Sequence, residues 1–187
     1  MHVLVVGGGI GGLTAALALE KRGHTVTVVE QSGVISEVGA GLQLSPNAMK
    51  VLNALGVGAR VMTDAFRPQA AEMRWGRSGR KIFSIPLRKA AMNRWGAEYI
   101  HVHRADLIEA LRAELAARAP DSVALGHRLE RYENKGDKVV AHFAGGGMVE
   151  ADLLVGADGI HSAVRDQMLG PDKPVNELVR AALQKGK

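Results

Sequence analysis

The stretch HVLVVGGGIGGLTAALALEKRGHTVTVVE, residues 2–30, constrains this chain more than any other. His2-Val3-Leu4-Val5-Val6 is apolar on both faces, as a parallel strand covered by helices on either side must be. Gly7, Gly9 and Gly12 follow in the spacing G-x-G-x-x-G. From Leu13 to Lys21 the helix formers Ala15, Ala16, Leu17, Ala18, Leu19 and Glu20 predict a helix, stopped by the basic turn and glycine of Arg22-Gly23. His24–Glu30 is β-branched and predicts a second strand. The result is a complete β-α-β unit.

Each glycine of the triplet has its own task. Gly7 permits the tight turn out of the strand, Gly9 removes the Cβ that would hold a pyrophosphate away, and Gly12 lets helix and sheet approach closely. The helix N-terminal amides then meet the phosphate charge. Glu30 ends the second strand, eighteen residues beyond Gly12, where a carboxylate accepts from ribose hydroxyls and repels a 2′-phosphate. The site therefore suits FAD or NAD. Ile10, at the start of the helix, and Gln31, next to Glu30, are counted with these residues as cofactor contacts. The competing reading is a structural glycine-rich turn that binds nothing.

Composition narrows the classes. The net charge of +5 is spread along the chain and aromatics make up only 4%, so neither a basic stripe nor a stacking platform for nucleic acid stands out. The chain has no cysteine, which excludes disulfides, thiol catalysis and cysteine-held metals; redox chemistry needs a bound organic cofactor. Val3–Val6 is too short for a signal segment or a membrane span. No membrane association and a cytoplasmic location are expected.

Downstream, residues 31–45 begin as a glycine-punctuated loop. A helix starting at Pro46 or Asn47 carries Met49, Leu52 and Leu55 on one side and ends near Gly56. Ala70–Trp75 and Lys81–Ile85 predict short strands of a small lobe, joined by the turn GRSGR. A strand before Arg104 is followed by a helix with the stripe Leu107, Ile108, Leu111, Leu115, ending before Pro120. SVALGHRLERYE, DKVVAHFAGG and VEADLLVGAD predict three further strands, the first two joined by a turn at Asn134–Gly136. The fold class is α/β: a Rossmann-like FAD/NAD(P)-binding fold with a parallel central sheet and a small antiparallel excursion.

DLLVGADGIHSAVR resembles the second conserved stretch of the FAD-dependent aromatic hydroxylases, single-component flavoprotein monooxygenases that include salicylate and hydroxybenzoate hydroxylases. GAGLQLSPNAMKVLNALG and HVHRADL resemble the same family, and the likeness runs from about residue 1 to about residue 175. It implies FAD as cofactor, NADH or NADPH as transient reductant and a small aromatic acid as substrate. It also implies that Asp158 and Gly159 stand near the pyrophosphate, that Arg104 contacts the flavin cofactor, and that Gln43 lies near the flavin. From the residues alone, Asp158 could instead cap a helix beginning near Ile160 or His161, and Arg104 could be an ordinary surface residue. His101 and His103 share one face of a strand but bring no third ligand, so no metal site is expected, and no catalytic residue is nominated.

Members of that family are about twice as long and carry a third flavin motif, a Gly-Asp pair followed by Ala and His. That motif is missing here, and the chain resembles the front half of such an enzyme. The expected organisation is an incomplete FAD-binding domain at 1–175, including the β lobe at about 70–100, and a divergent tail at 176–187. The expected function is the FAD-binding portion of an NAD(P)H-dependent aromatic-ring monooxygenase, weakly active or inactive by itself. The alternatives are a noncatalytic FAD- or ADP-binding or assembly module, or one half of a split flavoprotein. A homodimer or a complementary chain would cover the sheet edge that the absent segment normally pairs.

Overall fold

The computed structural model describes residues 1–34 and 40–170. In chain order the elements begin β1 (His2–Val6), α1 (Ile10–Glu20), β2 (Thr25–Glu30), β3 (Gly41–Leu44), α2 (Pro46–Ala54), α3 (Gly58–Val61), β4 (Ala70–Arg74), β5 (Lys81–Pro86) and α4 (Arg88–Trp95). They continue with β6 (Ile100–His103), α5 (Arg104–Arg118), β7 (Val123–Leu125), β8 (Leu129–Lys135), β9 (Lys138–Phe143), β10 (Met148–Ala151), β11 (Leu153–Gly156) and α6 (Ala163–Leu169). Two compact units divide the chain: Met1–Ile35 with Ala119–Lys187, and Ser36–Arg118. No helix among the described residues is long and apolar enough to cross a membrane.

The first unit is built on a parallel sheet of order β11-β1-β2-β7. Val3, Leu4, Val5 and Val6 are all buried, as a central strand covered on both faces requires. Leu4, Val6 and Val29 pack with Leu129, Val139, Ala141, Phe143, Ala151 and Val164, so the antiparallel sheet β10-β9-β8 covers one face of the parallel sheet. The alternation of side chains along a strand turns Val3, Val5 and Val28 to the opposite face, where α1 packs with its buried Leu13, Ala16 and Leu17.

Several boundaries differ from the sequence reading. The opening helix begins at Ile10 rather than Leu13, with Gly9 as its N-cap and the Leu13 N–H donating to the Gly9 carbonyl at 3.0 Å. Glycine's low helix propensity hides this first turn in the sequence. The stretch SVALGHRLERYE forms two strands, not one. It breaks at Gly126, with φ +74°, whose N–H donates to Ser32 O at 3.0 Å; β7 stays beside β2 and β8 leaves for the antiparallel sheet. VEADLLVGAD likewise splits into β10 and β11, at Asp152, whose carboxylate accepts the His2 N–H at 2.6 Å. The turn predicted at Asn134–Gly136 falls instead at Gly136 and Asp137, because Asn134 and Lys135 remain in β8 and pair with Val139 and Lys138.

In the second unit, α2 buries Met49, Leu52 and Leu55 and ends as predicted. The Val57 N–H returns to Leu52 O at 2.9 Å and the Gly56 N–H to Asn53 O at 3.1 Å, with Gly56 at φ +84°, the paired closure of a Schellman motif. β3 and β6 form an antiparallel ribbon, and β4 and β5 a hairpin. On α5 the predicted stripe Leu107, Ile108, Leu111 and Leu115 is buried. The region from 70 to 100 is more helical than the expected β lobe, because α4 occupies Arg88–Trp95. The tail at 176–187 lies outside the described residues.

Candidate functional site

Eight of the ten residues singled out as cofactor contacts lie in the first unit: Gly7, Gly9, Ile10, Gly12, Glu30, Gln31, Asp158 and Gly159. They gather where β1, β2 and β11 end, the carboxyl edge at which parallel α/β sheets bind ligands. Gly7 stands at φ +110°; a Cβ there would lie 2.4 Å from Ala157 O and 3.0 Å from Asp158 Cα. The turn after β1 and the turn after β11, some 150 residues apart in sequence, are therefore in backbone contact. The Ala157 N–H donates to Val6 O at 2.7 Å and holds them together.

The other two glycines of the triplet differ from each other. A Cβ on Gly12 would come within 1.8 Å of Gly7 O, whereas a Cβ on Gly9 would meet nothing within 4 Å. Gly12 serves the packing of α1 on its own turn. Gly9 borders open space at the N-terminus of α1, where the first amides lack intrahelical partners and the dipole favours an anion.

Glu30 ends β2 beside this turn. Its Oε2 accepts the Gly8 N–H at 2.7 Å and its Oε1 the Ser32 N–H at 2.9 Å. The carboxylate thus orders the glycine loop, and each oxygen keeps acceptor capacity for a ribose hydroxyl. Gln31 is exposed on the loop that follows. The roles of Gly8 and Ser32 were not legible in the sequence, because both act through backbone N–H groups.

Asp158 follows β11. Its Oδ1 accepts from the Ser162 hydroxyl at 2.6 Å and its Oδ2 from the Val164 N–H at 3.2 Å. Ser162 is the N-cap of α6 and accepts the Arg165 N–H at 3.0 Å. The helix starts at Ala163, not near Ile160 or His161, so Ser162 is the cap and Asp158 buttresses it. Gly159, at φ +78°, turns the chain between them. His161 is exposed.

Gln43 and Arg104 belong to the second unit, Gln43 on β3 and Arg104 directly after β6. Gln43 pairs in register with His101, and its Oε1 accepts from the Tyr99 hydroxyl at 2.8 Å, leaving the amide nitrogen as its donor. Arg104 opens α5 directly after β6, and its backbone N–H donates to Ala40 O at 3.2 Å. The His101 ring sits between Phe66 and Tyr99, each at 5.9 Å between centroids. Among the described residues no group of three or more His, Asp or Glu could hold a metal ion.

A glycine turn at the head of a parallel β-α-β unit, an acidic residue closing the second strand and an Asp-Gly turn in contact with the first define a dinucleotide-binding α/β protein. The residues fit the adenosine diphosphate part of FAD: open space over Gly9, a helix N-terminus facing it and a carboxylate for the ribose. The chain belongs to the FAD binding domain family, which matches residues 1–177. It is 39% identical over 174 residues to 6-hydroxynicotinate 3-monooxygenase of Pseudomonas fluorescens, covering 92% of this chain and 44% of that protein. To 3-amino-4-hydroxybenzoate 2-monooxygenase of Streptomyces cremeus it is 41% identical over 165 residues, 88% of this chain and 41% of that one. The crystal structure of Klebsiella pneumoniae HpxO complexed with FAD and uric acid superposes with a TM-score of 0.79 at 35% identity, over 89% of this chain and 41% of that one. The chain thus spans less than half the length of these relatives.

Proposed function

We propose that this chain is the FAD-binding portion of an NADH- or NADPH-dependent aromatic-ring monooxygenase acting on a small aromatic acid, with low or no turnover by itself. The observation that carries the reading is the backbone contact between Gly7 and Ala157-Asp158, which joins the glycine turn and the Asp-Gly turn into one edge. Relatives similar in sequence are named 6-hydroxynicotinate 3-monooxygenase and 3-amino-4-hydroxybenzoate 2-monooxygenase. Such a reaction inserts one oxygen atom of O2 into a ring C–H bond and releases the other as water, with reduced nicotinamide supplying two electrons.

Bound FAD supplies the redox and oxygen chemistry. The chain's own residues grip and orient it. Gly9 and the α1 amides receive the pyrophosphate, Glu30 with Ile10 and Gln31 holds the adenosine ribose, and Asp158-Gly159 shapes the second side of the phosphate path. Gln43 and Arg104 act toward the flavin. A cytoplasmic location belongs to the same proposal, since reduced nicotinamide is supplied there.

Calorimetric titration of the full chain with FAD, ADP and FMN tests the reading. FAD binding much tighter than ADP binding is the expected result, because contacts of Gln43 and Arg104 with the flavin add to the adenosine grip. Equal FAD and ADP affinity with weak FMN binding would instead establish a noncatalytic adenosine-diphosphate module. Absence of FAD binding after reconstitution sinks the enzymatic reading altogether.

A further inference from the structure

The antiparallel sheet of the first unit ends in β8, which pairs with β9 on one side and with no strand on the other among the described residues. At Tyr132, opposite Ala141 on β9, the backbone N–H and C=O both engage one side chain of α6. The Gln167 amide accepts the Tyr132 N–H on Oε1 at 2.9 Å and donates from Nε2 to Tyr132 O at 2.6 Å. A carboxamide offers one acceptor and a donor beside it, as a peptide group does, so Gln167 stands in for a neighbouring strand at this position. A glutamate would set a carboxylate oxygen against the Tyr132 carbonyl. Gln167 lies beyond the stretch DLLVGADGIHSAVR, and nothing in the local sequence marks it.

The other end of α6 carries the Asp158 turn. Both donors to the Asp158 carboxylate, the Ser162 hydroxyl at 2.6 Å and the Val164 N–H at 3.2 Å, sit at the start of this helix. The backbone of the same turn lies against Gly7, where a Cβ would come within 3.0 Å of Asp158 Cα. A helix of seven residues is too short to hold itself in place and depends on its tertiary contacts. Val164 provides one: it is buried, and a Cβ on Gly156 at the end of β11 would stand 2.7 Å from its Cγ1. One apolar contact fixes a point and leaves the helix free to pivot. The paired bonds of Gln167, about one turn further on, fix its direction.

We infer that Gln167 is a positioning residue for the cofactor site: by clamping α6 to the open edge of β8 it holds Ser162, and through Ser162 the Asp158-Gly159 turn, in place against Gly7. That the turn so placed borders the phosphate path of FAD rests on the reading above; the placement itself does not.

Two measurements on the full chain test this, with Gln167→Ala and Gln167→Glu checked for folding by circular dichroism. The first is amide hydrogen exchange without ligand. Both variants should exchange at least several-fold faster in β8 and in residues 157–164, with β1 and β2 unchanged, as local rather than global opening requires. The second is FAD affinity. Gln167→Ala should weaken it roughly tenfold, the scale of one hydrogen bond, and should add little to the loss caused by Ser162→Ala, because residues that act through one another are not additive. Unchanged exchange in residues 157–164, FAD affinity equal to the parent's, or fully additive losses in the double variant would each overturn the inference. If the parent binds no FAD while the exchange of residues 157–164 still rises in both variants, the clamp stands and the FAD reading alone fails.

Discussion

Gly9 and Gly12 are three residues apart, yet substitution should damage different properties. At Gly9 a new side chain enters open space, the space the pyrophosphate needs, so Gly9→Val should abolish detectable ADP and FAD binding. It should leave the far-ultraviolet circular dichroism unchanged and cost at most about 1 kcal/mol of stability. At Gly12 the Cβ would lie 1.8 Å from Gly7 O, which forces α1 off the sheet, so Gly12→Val should lower the melting temperature steeply whether or not ligand is present. If both variants lost binding with equal loss of stability, the division of labour between the two glycines would be wrong. Glu30→Ala removes an acceptor for two loop amides as well as for a ribose. It should weaken ADP by ~1–3 kcal/mol, the scale of a charged hydrogen bond.

At the scale of elements, the break between β10 and β11 depends on Asp152. Its carboxylate is held below the usual carboxylate range, first by the hydrogen bond from Lys138 and then by the backbone N–H of His2; Lys138 is raised in turn by Asp152. A folded-state pKa below the unfolded one contributes stability above the unfolded value, about 3.9, and loses it as pH falls through the folded value. Asp152→Asn should therefore melt below the parent at pH 7, and the gap should close as the pH is taken below roughly 4. A gap that stayed constant down to pH 2 would show that the junction is held by packing alone. The same elements show what was legible in the sequence. Strands with continuous β-branched runs, such as β1 and β2, and the helix with the Leu107-to-Leu115 stripe were readable, because burial imposes a period. The eight-residue α4 was not, since RKAAMNRW buries only Ala91 and carries no apolar stripe. β3 was hidden because Gly41–Leu44 reads as loop until its pairing with β6 is known. Of the candidate site, the glycine triplet and Glu30 were visible as residue types. The contact of Gly7 with Ala157 and the amide partners of Glu30 depend on backbone positions that no local pattern encodes.

At the scale of the whole molecule, the parallel sheet ends in β11, which pairs with β1 on one side and with no strand on the other among the described residues. Its first residue, Leu153, is 44% exposed, and an open strand edge with apolar side chains invites pairing with another chain. A homodimer through this edge, or a complementary chain that adds a strand to it, would satisfy the free donors and acceptors. Light scattering should accordingly show self-association of the full chain at tens of micromolar, and Leu153→Lys should shift it toward monomer without loss of FAD binding, because position 153 lies at the opposite end of β11 from Asp158. A version ending at Val175 separates the edge from the tail. If the full chain is monomeric at every concentration and the shortened chain associates, residues 176–187 cover the surface and the dimer proposal fails; if both associate equally, and Leu153→Lys disperses both, the β11 edge is the contact.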